Sequence, residues 1–270
     1  MVFSSTIFLF GFLPILIVLY FSTPKVLKNA LLLAASLLFY AWGEGIYLLI
    51  MLASIGLNYV VGLLIASTSK PKGWLIAGVV ANLGLLLSFK YANFINDNAN
   101  VLLIAVGVDP NNLAPVHLPL GISFFTFQAI SYLVDLYRKE ISAQINILKL
   151  GLYISLFPQL IAGPIVRYKS IVGDIIERGE SIGLFLQGLE RCIYGLAKKM
   201  LIANPLGLIV DTIFGLPSAE IPMYVAWFGI VCYALQIYFD FSAYSDMAIG
   251  LGRMFGFRFL ENFNYPYAAK

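Results

Sequence analysis

Asp240 and Asp246 lie inside one long apolar segment, residues 223–255. A carboxylate at membrane depth costs about 2.5–3.5 kcal/mol on insertion scales. Such a residue serves either a reaction or a buried network that locks helices together, and both uses stand open here. At helical spacing, Gln236, Asp240 and Tyr244 share one face, and Ser242, Asp246 and Arg253 share another. Two polar stripes require protein or water on more than one side of this segment. The single histidine, His117, sits between Pro115 and Pro119. Histidine titrates near neutrality, but a general base needs a fixed position close to the proton it removes. A proline-flanked loop does not provide one, so His117 reads as a solvated loop residue. Cys192 and Cys232 form no CxxC pair and are expected to stay unbridged. With one histidine and two distant cysteines, no metal site and no Cys–His pair can be assembled. The run Gly250-Leu-Gly-Arg-Met-Phe-Gly256 has the wrong spacing for a dinucleotide loop and follows a helix rather than a strand.

These residues need a scaffold, and composition says which kind. Of 270 residues, 60% are hydrophobic and 11% charged, and the mean hydropathy is +0.88. Soluble domains carry about 25% charged residues. Disorder is excluded by the same figures. The remaining class is an all-α integral membrane protein, a polytopic helical bundle with room for roughly seven or eight crossings of about 20 residues each. The net charge of +3 is too small to argue for nucleic acid. Residues 1–133 hold 5 of the 17 Lys/Arg and 3 of the 14 Asp/Glu. Within one membrane domain, 1–270, they read as scaffold spans, and residues 134–270 as tunnel-forming and interfacial helices. No Asn-x-Ser/Thr sequon occurs.

Spans are expected at 2–20, 29–42, 46–66, 74–94 and 118–137, with 95–117 as a loop. The first lacks a basic leader and a cleavage site, so it reads as retained rather than removed. Lys25/Lys28, Lys70/Lys72 and Arg138/Lys139 fall on alternate connections, which places them in the cytoplasm and the N-terminus outside. Residues 150–166 contain Pro158, Gly163 and Pro164 inside an apolar run flanked by Lys149, Arg167 and Lys169. Same-sign flanks favour a re-entrant hairpin, and a Pro-kinked ordinary helix is the alternative. Broken backbone survives at membrane depth only where protein or a water-filled cavity surrounds it. Residues 182–203 place Ile182, Phe185, Leu186, Leu189, Ile193, Leu196 and Met200 on one face, which reads as an amphipathic helix lying in the inner interface or docked on the protein. The segment 223–255 is expected to break near Gly250 and Gly252.

Three stretches carry a resemblance: His117-LPLGISFFTFQAISYLVDLYR-Lys139, Leu156-FPQLIAGPIVRY-Lys169 and Gln236-IYFDFSAYSDMAIGLGRMFGFRFLENFNYPY-Ala268. Together they resemble the membrane-bound O-acyltransferase family, in its bacterial alginate O-acetylation branch. The D-alanyl transfer proteins of Gram-positive walls are more distant relatives. The resemblance implies broken and re-entrant helices around a tunnel. It implies an acyl donor such as acetyl-CoA used as substrate, with no bound cofactor. It implies transfer, often through a secreted or membrane-anchored partner protein, to a polysaccharide outside the bacterial inner membrane. The family's central histidine stands in a Trp-x-x-Trp-His-Ile-Ser-Leu-like stretch shortly after Asn-Tyr-Pro-Tyr. Here Asn264-Tyr-Pro-Tyr267 is followed by Ala268, Ala269 and Lys270. The family's histidine has no counterpart, and His117 does not match its motif. The expectation is therefore the N-terminal part of a longer enzyme, inactive alone. Asp240, Ser242, Tyr244, Asp246, Asn262 and Asn264 become candidates to line or support the tunnel, and Arg167 a candidate for the donor's phosphates. A secondary transporter, suited by the intramembrane aspartates, and a non-catalytic membrane scaffold subunit are the rival readings.

Overall fold

The apolar runs are too long for strands, and the described residues form helices and no strand. The computed structural model describes all residues except 1, 112–113, 161–162, 164–165, 218–219, 265–266 and 268–270. The helices are α1 (Phe8–Ser22), α2 (Lys28–Glu44), α3 (Leu48–Ser67), α4 (Pro71–Lys90), α5 (Ala92–Ala105), α6 (Ile122–Tyr137) and α7 (Ile147–Ser155). They continue with α8 (Phe157–Leu160), α9 (Tyr168–Ile176), α10 (Ile182–Ala197), α11 (Asn204–Phe214) and α12 (Met223–Met254). Among the described residues, four helical runs are long and apolar enough to cross a membrane: Lys25–Ser67, Pro71–Lys90, Ile182–Phe214 and Met223–Met254. This is fewer than the sequence left room for. The protein is an all-α membrane protein. Contacts divide it into two units, residues 33–160 with 167–169, and residues 1–32, 161–166 and 170–270. The division at 133/134 followed charge, and these units follow packing instead.

In the unit of residues 33–160, the long run from Lys25 is interrupted at Gly45, whose φ of +55° only glycine adopts readily. The interruption separates α2 from α3 where the sequence placed a turn, and α2 is longer than the 14 residues expected. Helices α3, α4 and α6 meet through small residues and amides. A Cβ on Gly62 would lie 2.8 Å from the Tyr132 hydroxyl. Asn58 and Asn82, both fully buried, exchange hydrogen bonds of 3.0 and 2.8 Å between α3 and α4. Lipid tails are as apolar as leucine, so small residues and interhelical hydrogen bonds carry this association. Helix α5 stands where the sequence suggested an irregular loop. Its asparagines hold it: Asn98 donates to the Phe94 carbonyl, and Asn93 and Asn100 tie it to the backbone of Val116 and Asn111.

The apolar run from Leu150 is broken as expected. Asn146 caps α7 through Leu148 N–H, and the helix stops at Leu156, whose ψ is 111°. Pro158 then sits in the first turn of the short α8, where its missing N–H does no harm. Residues Leu150 to Leu160 are all buried. The Phe157 N–H freed by the break donates to Ser36 Oγ at 3.1 Å. Pro164 lies outside the described residues.

In the unit holding the C-terminal half, two expectations are corrected. Residues 182–203 are not a separate interfacial helix. They continue through a π-turn, Lys198–Ala203, into α11, making a 33-residue helix. The wide turn absorbs Pro205, which cannot donate to the preceding turn. The apolar stripe is also turned the other way: Ile182, Leu186, Leu189, Ile193 and Met200 are exposed, while Gly188, Cys192 and Gly195 are buried against α12. Nor does α12 break at Gly250 and Gly252; it runs on to Met254. Those glycines admit neighbours instead. A Cβ on Gly250 would meet the Gly188 carbonyl at 2.5 Å, and one on Gly252 would meet the Phe259 ring at 2.5 Å.

Candidate functional site

The close glycine contact between α10 and α12 determines what the charged side chains can reach. Gly188 faces Gly250, and Gly195 faces Ala243, so the helices run antiparallel with backbones in near contact. At that separation the long side chains of α10 and the π-turn reach the short carboxylates of α12. Arg191 Nη2 lies 2.8 Å from Asp246 Oδ1, and Lys198 Nζ lies 2.6 Å from Asp246 Oδ2. Arg191 also grips both oxygens of Glu261, each at 2.5 Å, in the paired geometry that guanidinium favours. Arg253 adds a longer contact of 3.6 Å to Glu261. A cavity of about 460 Å³ opens over this network, lined in part by Gln187, Tyr194, Asp246 and Arg253.

A second group lies further along α12. Lys199 Nζ is 2.5 Å from Asp240 Oδ1, and Gln236 Nε2 is 3.4 Å from Asp240 Oδ2. The Tyr244 ring stacks on Phe3 at 4.6 Å. Its hydroxyl is buried and has no hydrogen-bond partner among the described residues. Asp240, Tyr244 and Lys199 line a cavity of about 210 Å³. An unsatisfied hydroxyl beside a paired carboxylate retains both a proton to donate and lone pairs to accept.

The sequence-derived candidates therefore separate. Asp240 and Tyr244 share one cavity wall, as their i, i+4 spacing implies. Asp246 lines the other. Ser242 is buried and spends its hydroxyl on the Phe239 carbonyl of its own helix, at 3.4 Å. Asn262 and Asn264 are exposed in the segment after α12. Tyr265 and Pro266 of the Asn-Tyr-Pro-Tyr motif lie outside the described residues. Arg167 belongs to the other unit and is exposed. There Glu140 is held below the usual carboxylate range, first by the Lys169 hydrogen bond of 2.7 Å and then by the charges of Lys169, Arg138 and Arg167. Arg167 thus forms part of a basic patch.

His117 is exposed, with Nε2 3.1 Å from Glu44 Oε2 and its ring against Tyr47. Cys192 and Cys232 are free thiols. Sequence reasoning missed the pairing of Arg191, Lys198 and Lys199 with the aspartates. Arg191 and Lys198 recur at two-turn spacing, but Asp240 and Asp246, six residues apart, fall on different faces of their helix, so no shared periodicity announced the pairing.

The class defined so far is an all-α membrane protein with a broken, protein-enclosed apolar segment and an ion-paired acidic helix. No family profile matches the chain. Along its whole length, however, it is 43% identical to the probable alginate O-acetylase AlgI of Pseudomonas aeruginosa. It is 35% identical to the peptidoglycan O-acetyltransferase of Helicobacter pylori, again over the whole chain. Over 60% of the chain it is 28% identical to the teichoic acid D-alanyltransferase of Bacillus subtilis. The chain belongs to the membrane-bound O-acyltransferase family. It spans about half the length of these relatives: 52% of the Pseudomonas protein and 57% of the Helicobacter one.

Proposed function

We propose that the protein acts in membrane O-acylation, moving an acetyl group from a cytoplasmic thioester donor such as acetyl-CoA to hydroxyls of an extracytoplasmic polysaccharide. The observation that carries this reading is the 43% identity to an alginate O-acetylase along the entire chain. The broken α7–α8 segment supports it, since enclosed irregular backbone at membrane depth is a means of building a path through the bilayer. The site would lie in the bacterial inner membrane with the N-terminus outside, and a secreted or membrane-anchored protein would carry the group onward.

In the reaction the thioester C–S bond breaks, an ester C–O bond forms, and the acceptor hydroxyl gives its proton to a base. The residues of this chain suit supporting roles. Asp240 and Asp246 have their lone pairs occupied by Lys199, Arg191 and Lys198, so they hold the wall's shape and charge. The Tyr244 hydroxyl would donate to a developing oxyanion. Ser242 is bonded within its own helix and keeps a structural role, Asn262 and Asn264 would meet solvent or acceptor after α12, and Arg167, in the other unit, would attract donor phosphates. No histidine occupies the expected motif, so the 270 residues alone are expected to be inactive.

The test uses inverted inner-membrane vesicles from cells expressing the complete gene, supplied with radiolabelled acetyl-CoA and polysaccharide. Label in alkali-labile ester on the polysaccharide is the expected result. Label retained only in the donor would contradict the reading. The 270-residue chain, and its His117→Ala variant, should both give background.

A further inference from the structure

Two cavities of about 440 Å³ each meet at Glu180. One is walled almost wholly by apolar groups, among them Ile17, Phe21, Ile182 and Phe185. The other is lined by Lys25, Lys28, Asn29 and Arg178, together with Glu177 and Glu180. We propose that the pair forms a binding site for one glycerophospholipid with an anionic headgroup. This site is separate from the α10–α12 network and does not depend on acyl transfer.

Charge identifies the headgroup. Three cations face two carboxylates in the polar cavity, leaving one positive charge in excess. Lys28 is neutralised by Glu180 at 2.5 Å. Lys25 is exposed and makes no ion pair among the described residues. Arg178 donates to the Asp174 carbonyl and to the Tyr20 hydroxyl, both neutral acceptors, and its plane covers the Phe257 ring. Its charge acts on Glu180 through space, but it forms no direct ion pair among the described residues. One phosphodiester supplies the missing negative charge, and guanidinium and ammonium groups bind its oxygens strongly. A zwitterionic headgroup would bring a further cation to a place already positive. Asn29 Oδ1 is buried and has no partner among the described residues, while its amide nitrogen donates to the Ile175 carbonyl. A buried unsatisfied acceptor is costly, and a headgroup hydroxyl can donate to it. A glycerol headgroup has such a hydroxyl.

Continuity identifies the rest of the ligand. A free phosphate shares the headgroup chemistry but leaves the apolar cavity unused. Lys28 Nζ lies 4.4 Å from the Tyr20 ring and 5.5 Å from the Phe21 ring, and Phe21 itself lines the apolar cavity. The cationic and apolar walls are thus adjacent side chains, in the order in which a phospholipid presents phosphate and acyl chain.

The test is native mass spectrometry of the full chain in mild detergent, with equal amounts of dioleoyl phosphatidylglycerol and phosphatidylcholine. The wild type should retain phosphatidylglycerol with about tenfold preference, the scale of one charge-assisted contact. Arg178→Gln should bring the two lipids towards parity. Lys25→Gln should do so in part, and because Lys25 is exposed and unpaired that variant tests the site even if Arg178→Gln fails to fold. Phe21→Ser should weaken retention of both lipids. Equal retention by the wild type, or an undiminished preference in Lys25→Gln, would overturn the proposal. Displacement of the lipid by millimolar inorganic phosphate would assign the pocket to free anions and equally overturn it.

Discussion

Asp246 shows how a residue's chemistry depends on what reaches it. Its oxygens receive Arg191 and Lys198, and its side chain is 15% exposed. Removing Arg191 leaves Asp246 with Lys198 alone and Glu261 with only the longer Arg253 contact, at a cost of about 1–3 kcal/mol. Arg191→Ala should therefore lower the melting temperature in detergent. Arg191→Ala with Asp246→Ala should lose less than the sum of the two single changes, because each single change already loses the contact they share. Strict additivity would show that the pair is not coupled. Glu180 allows a pH prediction. Burial alone would raise its pKa, but hydrogen bonds from Lys28 and Tyr20, with the charges of Lys28 and Arg178, outweigh it and lower the pKa from 4.5. A carboxylate with a depressed folded-state pKa stabilises fully above its unfolded value and loses that contribution as pH falls. Thermal stability should fall as pH drops below 4.5, and Glu180→Gln should flatten that fall. An unchanged acid profile in Glu180→Gln would contradict the assignment.

Helices α10 and α12 show why periodicity finds an element more easily than the face it packs by. The stripe of Ile182, Leu189 and Ile193 was legible, and so was a helix. The packing face was not, because in lipid the apolar side is no longer the buried one. Gly188, Cys192 and Gly195 look unremarkable in a sequence. Their role emerges only when Gly250 and Ala243 stand opposite. Gly188→Leu should separate the helices, since even a Cβ would lie 2.5 Å from the Gly250 carbonyl oxygen. A loss of membrane-integrated protein is expected, and overpacking of this kind costs about 1–3 kcal/mol. Wild-type yield and melting temperature would count against the packing. The break at Leu156–Pro158 was legible because proline states its own constraint. Helix α5 was not, because its asparagine-to-backbone bonds depend on Val116 and Asn111, which follow it in the chain. Helix α3 supports a test of orientation. Its 20 residues span about 30 Å, the thickness of the hydrocarbon core. Single cysteines at Glu44 and Lys70, at its two ends, should label from opposite sides of the membrane. Equal labelling from outside would contradict the expected topology.

For the whole molecule, composition alone excluded soluble and disordered classes, and the three long motifs pointed to the family that the 43% identity now shows. The polar residues on α12 were legible as candidates; their partners were not, because ion pairs between segments about 40 to 55 residues apart leave no local pattern. What the chain does in the cell rests on the reading of polysaccharide O-acylation, and its most direct test is genetic. The measurement is the ester-linked acetate on extracellular polysaccharide after deletion of the complete gene, followed by complementation with wild type, Asp240→Asn and Asp246→Asn at equal membrane expression. Deletion should remove the acetate, wild type should restore it, and each aspartate variant should restore clearly less. Acetate unchanged by deletion would contradict the function, and full restoration by both variants would contradict the role given to α12.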